Sequence, residues 1–252
     1  QDDWLKLVVQ MVDPETNALL LLYDDAQSIY NKKAGLGFTL SSVGIQAQGR
    51  TTILRLNYRN TREILAFAYS FARQYLNPQA TDEDHIPLVE PEAAGISGPP
   101  PVVKQLGSFD DELEYTVACI RKWRANKVPM KDIAVLYATS AQGAKLSRRL
   151  QKEGIPHQWL GTRQHKMNYD SEADSLALMT IHSSKGLEFE RVVMIGVGQM
   201  DDSEEERAQS ARIIYVGMTR ARKYLVMASS GESAFVGQIV SPHVVHGSQM
   251  GC

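Results

Sequence analysis

Short apolar runs alternate along this chain with longer segments whose apolar residues recur at helical spacing. Residues 18–23 read as a buried strand that stops at Asp24-Asp25, and 51–56 as a second strand candidate. Residues 61–75 read as a helix, with Asn60 or Thr61 as N-cap and Glu63 in the first turn. Residues 77–101 gather prolines and acids and predict a linker or long surface loop. Strand-like runs follow at 102–106, 133–137, 155–160, 176–181, 192–197 and 224–228. Helical segments at 110–125, 141–153 and 204–219 separate most of them. In 110–125, Leu113, Val117, Ile120 and Trp123 fall near one face. Strands that are apolar on both faces and alternate with helices predict an α/β fold, a parallel sheet with helices on both faces.

Composition narrows this only slightly. A chain of 252 residues can bury a sizeable core as one large domain or two small ones. Hydrophobic content of 43% with 22% charged residues fits a soluble globular protein. The net charge of −2 gives no global basic field, so any hold on nucleic acid must sit in a local groove. Two cysteines, Cys119 and Cys252, support neither a disulfide scaffold nor a zinc site and suggest a reducing compartment. The longest apolar run, 18–23, is too short to cross a bilayer. The opening Gln1-Asp2-Asp3-Trp4 is acidic and has no apolar signal core, so no membrane partner and a cytoplasmic location are expected.

Four segments carry candidate chemistry. Asp24-Asp25-Ala26-Gln27-Ser28-Ile29-Tyr30 follows an apolar run, where α/β sheets place ligand loops. Gln27 can hydrogen-bond a phosphate or the water attacking it, and Tyr30 can offer a stacking face to a base. A simple strand-ending turn explains the same residues. Leu56-Asn57-Tyr58-Arg59-Asn60-Thr61 sits at a strand–helix junction. There an arginine can grip a phosphate bidentately and a tyrosine can lie on a purine, or both can be ordinary surface residues. Met179-Thr180-Ile181-His182-Ser183-Ser184-Lys185-Gly186-Leu187-Glu188-Phe189 combines small residues, hydroxyls and Gly186 after a strand, and this lets backbone come close to a ligand. It is not a P-loop, because GxxxxGK[ST] occurs nowhere in the chain. Finally, Thr219-Arg220-Ala221 ends a helix beside an apolar run; Arg220 is either a phosphate ligand or a helix-terminal charge.

Taken in order, these four segments resemble the later motifs of the UvrD-like superfamily 1 DNA helicases. The resemblance runs from residue 1 to about 235. It implies a RecA-like second motor domain over 49–235, a remnant of the first motor domain over 1–48, and a tail over 236–252. It implies ATP and Mg²⁺ as cofactors, single-stranded or tailed duplex DNA as the track, and the chain's own N-terminal motor domain as partner. By the same resemblance, Gln27, Arg59 and Arg220 sense or stabilise the γ-phosphate, with Arg220 as arginine finger. Tyr58 faces the adenine, Glu188 the ribose, and Gly186 and Gln1 belong to the nucleotide site. Gln1 would be the last residue of the Mg-binding motif, which places the acidic pair and the P-loop lysine upstream of residue 1. Tyr30, Lys32, Lys33, Thr180 and His182 are implied to meet DNA. Tyr23 replaces the family's glycine, and Lys32-Lys33 its aromatic–arginine pair, so the grip on the strand is expected to be more electrostatic. About fifteen residues fill the gap between Trp159 and Leu176 where many relatives carry an inserted subdomain. The alternatives are a degenerate helicase-like binding module without ATPase activity, or an RNA-directed helicase.

Overall fold

The computed structural model describes residues 2–16, 18–22, 39–47, 49–52, 56–76 and 92–239. The chain opens with helix α1 (Asp2–Gln10), and a 3₁₀ turn at Ser41–Val43 buries Val43. The apolar run expected as a strand does not form one at 18–22, where Leu20 is 81% and Leu22 72% exposed. A strand needs a neighbour to satisfy its N–H and C=O groups, and the described residues offer none there. Strand β1 (Leu56–Asn57) leads into helix α2 (Arg62–Tyr75) and pairs in parallel with β2 (Glu92–Ala93), inside the segment expected to be a loop.

The remaining elements are β3 (Val102–Gln105), α3 (Phe109–Ala125), β4 (Ile133–Tyr137), α4 (Ser140–Lys152), β5 (His157–Trp159), α5 (Arg163–Met167), β6 (Leu176–Thr180), β7 (Phe189–Ile195), α6 (Arg207–Met218), β8 (Ala221–Ser229) and α7 (Ala234–Ile239); α3, α4 and α6 separate strands as expected, whereas α5 and α7 fall where no helix was expected. Six strands form one all-parallel sheet in the order β3-β8-β7-β4-β6-β5. Alternation along each strand sends side chains to opposite faces. Ala134, Leu136, Ala177, Met179, Val192, Met194, Leu225 and Met227 join α2, α6 and α7 on one face. Ile133, Val135, Tyr137, Leu176, Leu178, Val193, Ile195, Val226 and Ala228 join α3 and α4 on the other. Leu113, Val117, Ile120 and Trp123 form the buried stripe of α3, as their spacing predicts.

Helix starts follow local capping chemistry. Ser108 accepts from Asp111 N at the start of α3, and Thr139 and Gln142 form a capping box at α4. Helix α6 begins at Arg207, later than the expected 204, and is preceded by a turn in which Glu206 N and Arg207 N both donate to Ser203 O. The ordered domain also extends beyond 235. Phe235, Val236 and Ile239 of α7 are buried, and the Phe235 ring lies 6.2 Å from Phe71 and 5.2 Å from Tyr75. Among the described residues no helix is long and apolar enough to cross a membrane.

One buried acid ties the sheet to its cover. Glu112 of α3 is fully buried and accepts from Gly196 N at 2.7 Å, from Ser230 N at 2.6 Å and from the Ser230 hydroxyl. It therefore joins the C-terminal ends of β7 and β8 to the first turn of α3. Burial pushes its carboxyl above the ordinary range, against the hydrogen bonds from Ser230 and Gly196. Gly196 has a φ of +74°, and a Cβ there would run into the Gln142 amide. Glu112→Gln places an NH₂ group where one of these donors points. It is expected to destabilise the chain by about 1–3 kcal/mol in urea denaturation.

Candidate functional site

The geometry starts with asparagines. Asn57 Oδ1 accepts from Arg59 N at 2.8 Å and Asn60 N at 3.0 Å, and Asn57 Nδ2 donates to Asn60 Oδ1 at 3.0 Å. Such a turn fixes the backbone of the Tyr58-Arg59 pair. Asn60, 1% exposed, then donates through Nδ2 to Thr219 O at 2.9 Å and Ala221 O at 2.6 Å. These two carbonyls flank Arg220. Next to them, Thr61 N donates to Arg222 O, and Phe189 N donates to Arg220 O. Three segments distant in sequence thus interlock at the N-terminal end of β7 and β8. Asn60 acts as this bridge and not as a helix cap. Thr61 takes the N-cap position by backbone, but its buried hydroxyl finds no hydrogen-bond partner among the described residues. The first turn of α2 is secured through Glu63, which accepts from the Ser97 hydroxyl at 2.6 Å and Gly98 N at 2.8 Å.

The side chains expected to meet a nucleotide divide into two kinds. Tyr58 is 69% exposed, and Arg59 is exposed with no hydrogen bond or ion pair from its guanidinium among the described residues. Glu188 is also exposed, 3.8 Å from Arg222. Gly186 has a φ of +87° with open space where a Cβ would be, so backbone there is accessible. Arg220 is different: it is 2% exposed, and its guanidinium donates to Val216 O at 3.0 Å, Leu187 O at 3.2 Å and Thr219 Oγ1 at 3.2 Å. An exposed aromatic, an uncommitted guanidinium and open glycine backbone have the chemistry to hold a nucleotide. Arg220 is held inward on its own fold. Among the described residues no group of three or more His, Cys, Asp and Glu side chains could hold a metal ion. Gln1, Gln27, Tyr30, Lys32 and Lys33 lie outside the described residues.

Thr180 and His182 lie at the other end of the sheet. Tyr137 is in register with both Thr180 and Ile195, so Thr180 stands at the C-terminal end of the strands. Phe189 starts β7 six residues before Ile195, about 20 Å away along the strand at ~3.3 Å per residue. Residues 181–188 therefore descend the whole height of the sheet. At the top, Thr180 Oγ1 pairs with Ser183 Oγ at 2.7 Å and accepts from Ser183 N at 3.1 Å. His182 is half-buried, and burial, together with the Lys166 charge, lowers its pKa. At the bottom, Leu187 O receives Arg220 and Phe189 N reaches Arg220 O.

This all-parallel sheet with helices on both faces is a RecA-like α/β domain. The family model for the UvrD-like helicase C-terminal domain matches residues 52–167 and 162–232, and the chain belongs to that family. The ATP-dependent DNA helicase Rep of Salmonella typhimurium is 40% identical over 83 residues, covering 29% of this chain and 12% of that helicase. The mitochondrial ATP-dependent DNA helicase HMI1 of Saccharomyces cerevisiae is 29% identical over 152 residues, covering 56% of this chain and 21% of that one. The chain thus corresponds to about a fifth or less of the length of these relatives. The C-terminal domain of a possible DNA helicase from Lactobacillus plantarum superposes with a TM-score of 0.53 at 18% identity, over 73% of this chain and 94% of that one, which shows the fold.

Removing the Asn60 amide leaves the Thr219 and Ala221 carbonyls without their donor. Asn60→Ala is expected to cost about 2–4 kcal/mol in urea denaturation, while Tyr58→Ala stays within about 0.5 kcal/mol. The Ser97 hydroxyl, foremost, holds Glu63 down to about 2 from its ordinary 4.5. A carboxylate depressed in the folded state stabilises fully above its unfolded value and loses that contribution as pH falls through the folded one. The tie between α2 and 97–98 should therefore weaken between about pH 4.5 and 2. In an NMR titration, Ser97→Ala should move the Glu63 pKa back toward 4.5.

Proposed function

We propose that this chain is the second motor domain of an ATP-dependent DNA helicase that translocates on single-stranded DNA, working against its own N-terminal motor domain. The observation that supports this reading most is the 181–188 crossover. One end carries Thr180 and His182, and the other is tied to Arg220 beside the Tyr58-Arg59 turn. Withdrawing the Arg220 guanidinium would free the Leu187 carbonyl, at the foot of a segment whose other end lies at the opposite end of the sheet. Such a connection is what a two-state element biased by a ligand requires.

In this reading Tyr58 lies against the adenine, Glu188 meets the ribose and the Gly186 backbone approaches the nucleotide. Arg59 and Arg220 attend the γ-phosphate, with Gln27 as a third sensor and Gln1 close to the metal motif. ATP, when bound, supplies a terminal phosphate whose developing charge a guanidinium stabilises by roughly 10³–10⁵ in rate. Arg59 is available as it stands, whereas Arg220 must exchange the Leu187 carbonyl for its new partner. Thr180 and His182, with Tyr30, Lys32 and Lys33, would follow the DNA strand. The P-loop lysine and Mg²⁺ ligands are assigned to the first motor domain.

The 252-residue chain has no GxxxxGK[ST] and should show no Mg²⁺-dependent ATPase activity by itself; measurable turnover would overturn this reading. In the chain joined to its N-terminal motor domain, Arg59→Ala and Arg220→Lys should each lower DNA-stimulated kcat by roughly 10³ or more, with ATP affinity within about tenfold. Near-normal kcat in a variant of unchanged Tm would remove that residue from the site. Loss of all nucleotide dependence, with DNA binding retained in the unaltered protein, would favour a binding module.

A further inference from the structure

Where β5 ends, the chain turns across the Trp159 indole. Gly161 makes this turn possible: a Cβ there would sit 2.5 Å from the ring, which is itself held by Trp159 Nε1 donating to Tyr137 Oη at 2.8 Å. Thr162 caps the short helix α5 by accepting from His165 N at 3.2 Å. All five residues of α5 are exposed, and the His165 ring leans on Trp159 at 5.9 Å. Trp159 is in register with Leu178, and Leu160 N donates to Leu178 O, so α5 rises at the C-terminal end of the sheet beside Thr180. Lys166 is close enough to His182 for its charge to act on the imidazole.

The charges of the 163–175 connection are segregated. Arg163 and Lys166 make no ion pair among the described residues. The acids that follow are already engaged elsewhere. Asp170 caps Glu172 N at 2.9 Å, Glu172 pairs with Lys131 at 2.7 Å and Asp174 accepts from Met130 N at 2.8 Å. Met130 and Lys131 precede β4, so Glu172 and Asp174 are drawn to the N-terminal end of the sheet. Arg163 and Lys166 therefore stand, without an acid partner among the described residues, at the end where Thr180, Ser183 and His182 present hydroxyl and imidazole groups. Lys185 is exposed on the same crossover.

We propose that α5, through Arg163 and Lys166, extends the Thr180–His182 edge into a binding surface for the sugar-phosphate backbone of single-stranded nucleic acid. Two exposed cations beside a hydroxyl pair offer both the charge and the donors that successive phosphates require. The chain thereby places a short basic helix at the position where the connection between β5 and β6 is brief. This inference rests on the proposed reading that Thr180 and His182 follow the strand.

The test is fluorescence anisotropy of the 252-residue chain with a labelled oligo(dT) over a range of salt. Arg163→Gln/Lys166→Gln, both on exposed positions, should weaken binding roughly tenfold at low salt and reduce the slope of log K against log salt by about 1.4, at ~0.7 per phosphate on a single strand. Lys122→Gln/Arg124→Gln, the same charge change at the far end of α3, should alter neither. If the Arg163/Lys166 variant matches the parent while Thr180→Ala and His182→Ala weaken binding, the α5 surface is overturned and the strand reading stands. No salt-dependent binding by the unaltered chain overturns both. A polyglutamate peptide that displaces the oligonucleotide equally well at matched charge overturns the assignment to nucleic acid.

Discussion

The side-chain amide of Asn60 holds together the end of the domain where β7 and β8 begin. Its two N–H groups donate to the carbonyls on either side of Arg220, and its oxygen takes the amide of Asn57. A buried amide with every donor used is costly to disturb, because each partner it releases is left unpaired away from water. The Tyr58-Arg59 turn, the helix-to-strand turn around Arg220 and the start of β7 are set by this one group and the backbone bonds around it. The two arginines are thereby brought to one end of the sheet although 161 residues separate Arg59 from Arg220 in sequence (220 − 59).

The two arginines nevertheless differ in state. Arg59 is exposed, with its fork uncommitted among the described residues, and Arg220 is folded back on Val216 O and Leu187 O. A buried guanidinium is tolerated because carbonyl oxygens take up its donors. The same bonds make Arg220 part of the crossover at 181–188, whose other end is pinned by the Thr180–Ser183 hydroxyl pair. One short segment thus touches both ends of a rigid, close-packed sheet. Glu112 braces that sheet independently, fastening the C-terminal ends of β7 and β8 to α3.

Charge follows the same axis. The connection between β5 and β6 is too short to form a subdomain, and its acids are spent on Lys131 and Met130 at one end while its cations face outward at the other. A chain with a net charge of −2 can in this way carry a local positive edge that no bulk composition reveals.

The amino-acid sequence by itself determined most of the fold. Apolar runs at period two and helical stripes such as Leu113, Val117, Ile120 and Trp123 fixed the alternation of strands and helices, because burial on both faces demands that pattern. The order of four motifs was sufficient to identify the family. Element ends were less legible: 18–22 finds no partner strand among the described residues, 92–93 pairs where a loop was expected, and α7 continues to Ile239 on the aromatic rings of Phe71 and Tyr75. Only the tertiary structure decided that Asn60 is a bridge, that Arg220 is turned inward, and that Thr180 and Leu187 lie at opposite ends of the sheet. Each of these depends on which carbonyl or strand end stands opposite a residue in space, and sequence spacing does not encode that.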